Sequence, residues 1–495
     1  MKDFIHINKK DNVIVALKDL PKGKNLCEDE WNITLLSNVP KGHKISIKEL
    51  AAGENIIKYG YPIGKATKNI HSGSHVHINN LKTNLAGTIN YSYEPTTVTM
   101  DKKVESKTFN GYKRFNSKVG IRNELWIIPT VGCVNGTAEM IVNTFKKSND
   151  TLLIDDICIW KHPFGCSQLG QDHKNTANIL RDLAVHPNAG GVLVLGLGCE
   201  NNTIEEFKKN LLPHDNNRIK FLTIQEVEDE IEEGVSLLEE LYETMKQDKR
   251  MPMPISDLTI GLKCGGSDGL SGITANPLVG ELSDYLVANG GTTVLTEVPE
   301  MFGAETILMN RTVNKKTFDD MVNLINGYKK YYLSFDQPIY ENPSPGNKAG
   351  GISTLEDKSL GCIQKGGNAP VTDVLDYGDI IKSSGLNILS APGNDLVATT
   401  ALGSSGCQMV IFTTGRGTPF GSFIPTIKIS TNSELYNKKP HWIDFNAGNL
   451  IDDRTMEDVL EDLIDYIIDV ASGKKVNNEK NYFKEISIFK TGVTL

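Results

Sequence analysis

Several things are scarce in this chain of 495 residues. Apolar runs such as Val192–Leu197 fall far short of the roughly 20 residues a membrane-spanning helix needs. The start, Met1–Lys10, is polar and lacks the apolar core of a secretory signal, so a cytoplasmic protein with no membrane partner is expected. No Lys/Arg-dense stretch stands out, and 52 basic against 61 acidic residues leave a net charge of −9, so no nucleic-acid surface is expected. The eight Cys are too few for a disulfide scaffold, and in a reducing compartment such thiols more often bind metal or take part in catalysis. No Cys-x-x-Cys pair occurs, which disfavours a zinc ribbon or thioredoxin motif. No Gly-Lys-Ser/Thr closes a phosphate loop, and Gly196-Leu197-Gly198 lacks the third Gly of a dinucleotide fingerprint, so ATP and NAD are disfavoured. What remains is a chain with length for about three domains and a small molecule as its partner.

The first ninety residues hold short β-prone pieces, Val13–Leu17, Lys44–Ile47, Asn55–Tyr59 and His75–Ile78, between turns such as Pro-Lys-Gly. Residues 89–104 are polar and aperiodic, as a linker is. Beyond them, strand-like Leu125–Val131, Ile154–Trp160, Val192–Leu197 and Ile219–Ile224 alternate with helical spacing over Thr137–Lys147, Asn175–Leu183 and Ile231–Met245. That alternation predicts βαβ units on a parallel sheet. Lys249–Pro254, with two prolines, reads as a second boundary before another strand and helix series. The last long helix is capped by Asp453 or Thr455 and stopped by Gly473.

The cysteines carry a pattern. Gly-Cys-x-(Asn/Gln) occurs at 132–135, 165–168, 198–201 and 361–364, and Cys133, Cys166 and Cys199 recur every 33 residues, about one βαβ step. Cys133 and Cys199 each follow a strand-like run, which puts them at the carboxyl edge of a parallel sheet, where ligands bind. Three converging thiols suit iron, zinc or an iron–sulfur cluster with one position open to substrate. The bland alternative is three small buried residues.

Other residues could act beside them. His162, four residues before Cys166, could be a base. His75 and His77, two apart in a strand, put both rings on one side and could share a metal, and His43 follows a turn. Gly-rich segments at 264–269, 342–351 and 413–421 let backbone N–H groups approach an anion; Lys348 lies in the second, and Arg416, between Gly415 and Gly417, could grip a carboxylate bidentately. Glu297 and Glu300, past the strand-like Thr292–Leu295, add hard oxygen ligands or an acid/base pair.

The strings at 120–136, 186–202, 264–277 (Cys-Gly-Gly-Ser-Asp-Gly-Leu-Ser-Gly-Ile-Thr-Ala-Asn-Pro) and 413–419 (Thr-Thr-Gly-Arg-Gly-Thr-Pro) resemble those of the altronate/galactarate dehydratase family, essentially end to end. The resemblance implies an α/β protein: an N-terminal β-clip (SAF) domain at 1–90, a linker at 91–107, an α/β middle domain at 108–250 and a Rossmann-like parallel-sheet domain at 255–495. It implies a cytoplasmic hydro-lyase of hexuronate breakdown that removes water from D-altronate by β-elimination, giving 2-dehydro-3-deoxy-D-gluconate. Galactarate or another C6 sugar acid is the alternative substrate, and a non-enzymatic sugar-acid-binding or assembly module the alternative class. It implies iron, as Fe2+ or an iron–sulfur cluster, with Mn2+ as a further candidate, and a homo-oligomer, as a dimer. On this reading His162, His43 and Lys348 are the catalytic candidates. Arg416, Gly415, Gly417, Ser267 and Asp268 bind substrate. Cys133, Cys166 and Cys199 hold the metal, with Cys264, His75, His77, Glu297 and Glu300 as alternatives.

Overall fold

The β-prone pieces of the N-terminal segment do form strands, because each lies between turns whose glycines accept the left-handed conformation, as Gly23, Gly42 and Gly53 do. In this computed structural model, which describes residues 2–28, 30–98, 106–149, 152–452 and 454–495, Val13–Ala16 and Lys44–Ser46 pair antiparallel in a four-stranded sheet, Phe4–Ile5 beside the first and His75–Val76 beside the second. A second sheet joins Asn55–Lys58, Tyr61–Ala66 and Leu81–Lys82.

This segment is built into the body of the molecule. Val13, Leu50, Ile56 and Ile63 belong to the same buried cluster as Ile260, Leu262, Leu278 and Leu360. The Lys44 and Lys58 ammonium groups, 0% and 2% exposed, both close on Asp357, itself fully buried, at 2.8 and 3.0 Å. The polar stretch after it is tethered as well: the Tyr91 hydroxyl donates to Glu305, the Tyr93 hydroxyl to the Thr312 carbonyl and the Thr96 N–H to the Asn310 carbonyl. Residues 99–105 of the expected linker lie outside the described residues.

Four parallel strands follow, in the order Asp156–Ile159, Glu124–Pro129, Ala189–Gly196, Ile219–Thr223. Helices Asn135–Ser148 and Glu230–Met245 cover one face and Gly170–Ala184 the other. The proline-bearing stretch read as a boundary folds as the strand Met251–Pro254, pairing with Thr108–Gly111 in a small antiparallel sheet. Pro is tolerated there because the strand lies at the sheet edge. The second large sheet has seven parallel strands, in the order Val371–Leu375, Gly385–Leu389, Thr292–Leu295, Thr259–Cys264, Met409–Thr414, Thr426–Ser430, Phe445–Asn446. The last long helix, Met456–Ala471, is capped by Thr455, whose hydroxyl accepts the Asp458 N–H; Asp453, the other expected cap, lies outside the described residues.

The two parallel sheets point the same way. At their amino ends His186 bonds the Cys407 carbonyl and Asn188 the Gln408 carbonyl. At their carboxyl ends Gln171 and Asn175, at the start of helix Gly170–Ala184, share a cleft of about 740 Å³ with Asp376, Tyr377 and Ser390. The loops that follow the strands of the two sheets therefore lie toward the same end of the sheets.

Candidate functional site

The carboxyl edge of the seven-stranded sheet carries the densest chemistry. Strand Thr259–Cys264 ends in Lys263 and Cys264, and the Gly-Gly-Ser-Asp loop turns away from it. Asp268 is half-buried and accepts hydrogen bonds from Thr431 Oγ1 at 3.0 Å, Ser271 Oγ at 3.1 Å and the Leu270 N–H at 3.1 Å. Burial pushes its carboxyl upward, against those donors. Gly415 is required beside it, since a Cβ there would lie 2.2 Å from the Asp268 carboxyl carbon. Gly417, at φ 83°, completes the turn around Arg416. The exposed Arg416 guanidinium forms no ion pair or hydrogen bond among the described residues; it lines a cleft of about 370 Å³ with Lys41, Gly42, Asp268, Gly350 and Lys438. Glu434 lies on the same lining, and an unpaired guanidinium between glycines, with lysines beside it, has the chemistry to receive a carboxylate. Ser267 is buried, its hydroxyl without a partner among the described residues, and with Asp268, Lys358 and Cys362 it lines a cavity of about 10 Å³, the size of one water.

The N-terminal segment closes one side. The turn Pro40–His43 presses against the Gly269 and Gly350 backbones so closely that a Cβ on Gly269 would meet the Gly42 carbonyl. His43 Nδ1 lies 2.9 Å from His75 Nε2, and its Nε2 faces the Ala349 carbonyl at 3.3 Å. His77 Nδ1 bonds Ser353 Oγ at 2.9 Å. Burial holds all three rings neutral, with His75 and His77 lowered to about 4. His75 and His77 stack at 5.6 Å, on the same side as expected, but no three ring nitrogens of this trio lie within 4.8 Å of one another; His43 and His75 form a hydrogen-bonded pair with His77 packed against both, which is not a ready metal cage. Lys348 is half-buried on the short helix Pro345–Ala349, whose Gly346 faces Arg416.

Deeper along the same edge lies a buried ionic centre. Cys264 Sγ is 3.4 Å from Cys362 Sγ, and Glu300 Oε2 is 3.4 and 3.2 Å from the two sulfurs. Three lysines surround them: Lys365 Nζ donates to Cys264 Sγ at 3.0 Å, Lys358 to Glu300 at 2.8 Å, and Lys263 to Glu297 and, at 2.9 Å, to Asp395. The Cys362 hydrogen bond and the Lys365 charge, against burial, bring Cys264 down to about 6. Burial would lift Glu300, but Lys358, Lys263 and Lys365 outweigh it and hold the carboxyl at about 2. Glu297 accepts the Cys264 N–H at 2.9 Å from a left-handed backbone, φ 68°, a conformation that costs energy in a residue with a Cβ and persists only where neighbours impose it. Cys264, Glu300 and Cys362 are one of two sets of three ligand atoms within 4.8 Å of one another among the described residues. In the other, Glu124, Asp156 and Cys158, the Lys484 ammonium already sits on all three at 2.8 to 3.5 Å, which makes it an ion-pair knot.

Cys133, Cys166 and Cys199 follow three adjacent strands of the four-stranded sheet, all three are exposed, and their sulfurs do not all lie within 4.8 Å of one another, a spacing too wide for the three thiols to hold a single ion without movement. Their loops are knitted together: the Gly132 N–H donates to the Phe164 carbonyl, Asn135 Nδ2 to the His162 carbonyl, the Ser167 N–H to Asn201 Oδ1 and the Asn202 N–H to the Gly165 carbonyl. Gly165 has no room for a side chain, since a Cβ would lie 2.0 Å from the Thr130 carbonyl oxygen. His162 is buried, Nδ1 accepting the Phe164 N–H and Nε2 directed at the Pro129 carbonyl at 2.8 Å. Both nitrogens are thus committed to the loop, leaving none free to move a proton.

Cys362, Lys358, Lys365, Lys263 and Asp395 are the site residues that sequence reading did not name. Cys362 did carry a signal, the Gly-Cys-x-Gln at 361–364; for the lysines only the three-dimensional meeting of distant segments reveals them.

Family models match in three consecutive pieces: "Altronate/galactarate dehydratase SAF domain" over residues 2–84, "D-galactarate dehydratase/Altronate hydrolase, second domain" over 111–246, and "D-galactarate/Altronate dehydratase, C-terminal" over 255–494. The chain is 57% identical to the altronate dehydratase of Bacillus subtilis over the whole of both chains. It is 54% identical to that of Escherichia coli over 99% of this chain and all of the relative. It is also 32% identical to the galactarate dehydratase (L-threo-forming) of Escherichia coli, over 95% of this chain and 93% of that one.

Proposed function

We propose that this chain, which belongs to the altronate/galactarate dehydratase family, dehydrates D-altronate to 2-dehydro-3-deoxy-D-gluconate by β-elimination of water. The observation that carries the reading is full-length identity of 57% and 54% to two altronate dehydratases, and the unpaired Arg416 in its cleft supplies what a sugar-acid carboxylate needs.

The reaction removes a weakly acidic C2 proton and a poorly leaving C3 hydroxyl, giving an enol that becomes the 2-keto acid. Arg416 holds the carboxylate, with Lys41 adding positive charge. Asp268, Gly415 and Gly417 shape the loop that aims the guanidinium, and Ser267 anchors a water behind it. His43, buried behind the cleft-lining Gly42, takes the C2 proton after releasing its longer contact, Nε2 to the Ala349 carbonyl at 3.3 Å, and Lys348 protonates the departing hydroxyl. His162 instead holds the Cys166 loop.

Iron is the cofactor of this reading, with Mn2+ as a substitute. Cys133, Cys166 and Cys199 hold it: three exposed thiols on interlocked loops at adjacent strand ends fit an iron–sulfur cluster with one open position. When bound, it supplies Lewis acidity for the leaving oxygen. The contact set Cys264, Cys362 and Glu300 favours a second reading, a single Fe2+ in the buried centre, but there the lysines already neutralise the donors. The fold of this reading is a β-clip, an α/β middle domain and a Rossmann-like C-terminal domain, working as a cytoplasmic homodimer.

The test incubates purified protein with D-altronate, Fe(II) and a reductant under argon and measures 2-keto acid. Galactarate serves as the competing substrate. Absence of keto acid from D-altronate, with turnover of galactarate, overturns the substrate assignment.

A further inference from the structure

The last residues of the chain form a strap that leaves the seven-stranded body and ends on the Cys166 loop. The Phe489 N–H donates to the Tyr377 hydroxyl at 2.9 Å. Asp172, 2% exposed at the start of helix Gly170–Ala184, then accepts the Thr491 N–H at 2.8 Å, the Thr491 hydroxyl at 3.3 Å and the Gly492 N–H at 2.6 Å. Beyond that clamp Thr494 pairs with Gln168 in an antiparallel bridge, and the Leu495 N–H donates to the Ser167 carbonyl at 3.0 Å.

Ser167 is the informative residue. Its φ is 57°, the left-handed region, which a side chain disfavours, and it directly follows Cys166. Such a conformation survives only where surrounding contacts impose it. Ser167 has two such contacts, one on each side: Asn201 Oδ1 accepts its N–H at 2.8 Å and the strap binds its carbonyl. Gly165, on the other flank of Cys166, is held at φ 103°. The thiol thus sits between two left-handed residues, and the direction in which it points depends on both staying so.

We propose that the segment 491–495, clamped by Asp172, is a positioning element that keeps Ser167 left-handed and thereby aims the Cys166 thiol into the cysteine rim. The functional weight of this rests on the reading of Cys166 as an iron ligand, while the positioning itself does not. Glycine adopts φ near +60° without steric cost, so Ser167→Gly should weaken the dependence of the loop on the strap.

The test compares four full-length or trimmed proteins, with reductant and chelator present: wild type, a variant lacking residues 491–495, Ser167→Gly, and the two changes combined. The rate of iodoacetamide labelling at Cys166, Cys133 and Cys199 is read by peptide mass spectrometry. Trimming should change Cys166 labelling at least threefold and leave Cys133 and Cys199 within about a factor of 1.5, and in the Ser167→Gly background the same trimming should change Cys166 labelling by less than about 1.5-fold. Asp172→Ala, which keeps the whole chain, should reproduce the trimmed result if trimming impairs folding. Unchanged Cys166 labelling in both variants, equal changes at all three thiols, or an undiminished effect of trimming in the Ser167→Gly background each overturns the proposal. Failure of the iron reading shows separately, as full iron content in Cys166→Ser.

Discussion

Replacing Asp357 by Asn should loosen the N-terminal segment from the body by about 3–4 kcal/mol at pH 7.5. Among the described residues, this carboxylate is the only ion-pair partner of two buried ammonium groups, Lys44 at 2.8 Å and Lys58 at 3.0 Å. At an effective dielectric constant of ~20, each contact is worth about 5–6 kcal/mol of gross attraction, and breaking one partner of a buried pair typically costs about 3–5 kcal/mol net. The chain has one escape, which sets the ceiling. Burial already lowers Lys44 to about 8, so in the variant this group sheds its proton, and keeping neutral a lysine whose unfolded pKa is near 10.4 costs about 4 kcal/mol at pH 7.5. Raising the pH to 9.5 should return about 2.7 kcal/mol to the variant, while the wild type, whose Lys44 also sheds its proton above about pH 8, gains about 2 kcal/mol, so the difference between them narrows by less than about 1 kcal/mol. The sign is fixed by proton counting: the unfolded variant keeps Lys44 protonated up to about 10.4 while its fold does not, so raising the pH favours the fold. Urea unfolding by circular dichroism at the two pH values, with limited proteolysis of residues 2–84, measures both effects. A loss below 1 kcal/mol at pH 7.5, or a variant whose own stability does not rise between pH 7.5 and 9.5, would refute the assignment of that ion triad as the clamp.

Arg416→Lys should raise KM for D-altronate at least about tenfold with the fold intact, because an ammonium cannot copy a bidentate clamp worth roughly 1.5–3 kcal/mol; steady-state kinetics give the answer, and an unchanged KM removes Arg416 from the substrate. Cys133→Ser, Cys166→Ser and Cys199→Ser should each lose iron and turnover while retaining the wild-type circular dichroism spectrum, and a visible absorption band near 400 nm that bleaches on reduction marks a cluster. The same iron loss on Cys264→Ser alone, with the rim variants still loaded, assigns the metal to the buried centre. Acid should destabilise the protein from about pH 6.5 downward: His186, stacked on Trp126 and lowered to about 3 by burial, stays neutral in the fold while the unfolded ring protonates near 6.5, so about 2 kcal/mol is lost by pH 5. Thermal melts across that range test it, and His186→Gln should flatten the slope.

The strands and helices were legible because their patterns are local. Thr137–Lys147 and Ile231–Met245 lie inside the observed helices, and turn glycines bracketed the N-terminal strands. The 33-residue cysteine period was legible for the same reason, since each βαβ step returns the chain to one sheet edge. The pairing of Cys264 with Cys362 was not, because strand order in the seven-stranded sheet and the path of Leu355–Cys362 decide it, and neither leaves a trace in spacing. Nor did His162 announce its structural duty; a lone His beside a Cys looks the same whether its nitrogens face a substrate or the backbone. Lys44 and Lys58 look like solvated charges in their strands, and only a carboxylate some 300 positions away makes their burial possible.

That distance matters while the chain is being made. Lys44 and its partner Asp357 are 313 residues apart, so at about 5–20 residues per second a nascent chain spends roughly 15–60 s with its first strands complete and two ammonium groups that have nowhere to go. Those strands cannot bury their charged side in that interval. The N-terminal segment is therefore the first part synthesised and among the last to reach its native setting, and during translation it is the stretch most exposed to a ribosome-associated chaperone or a protease.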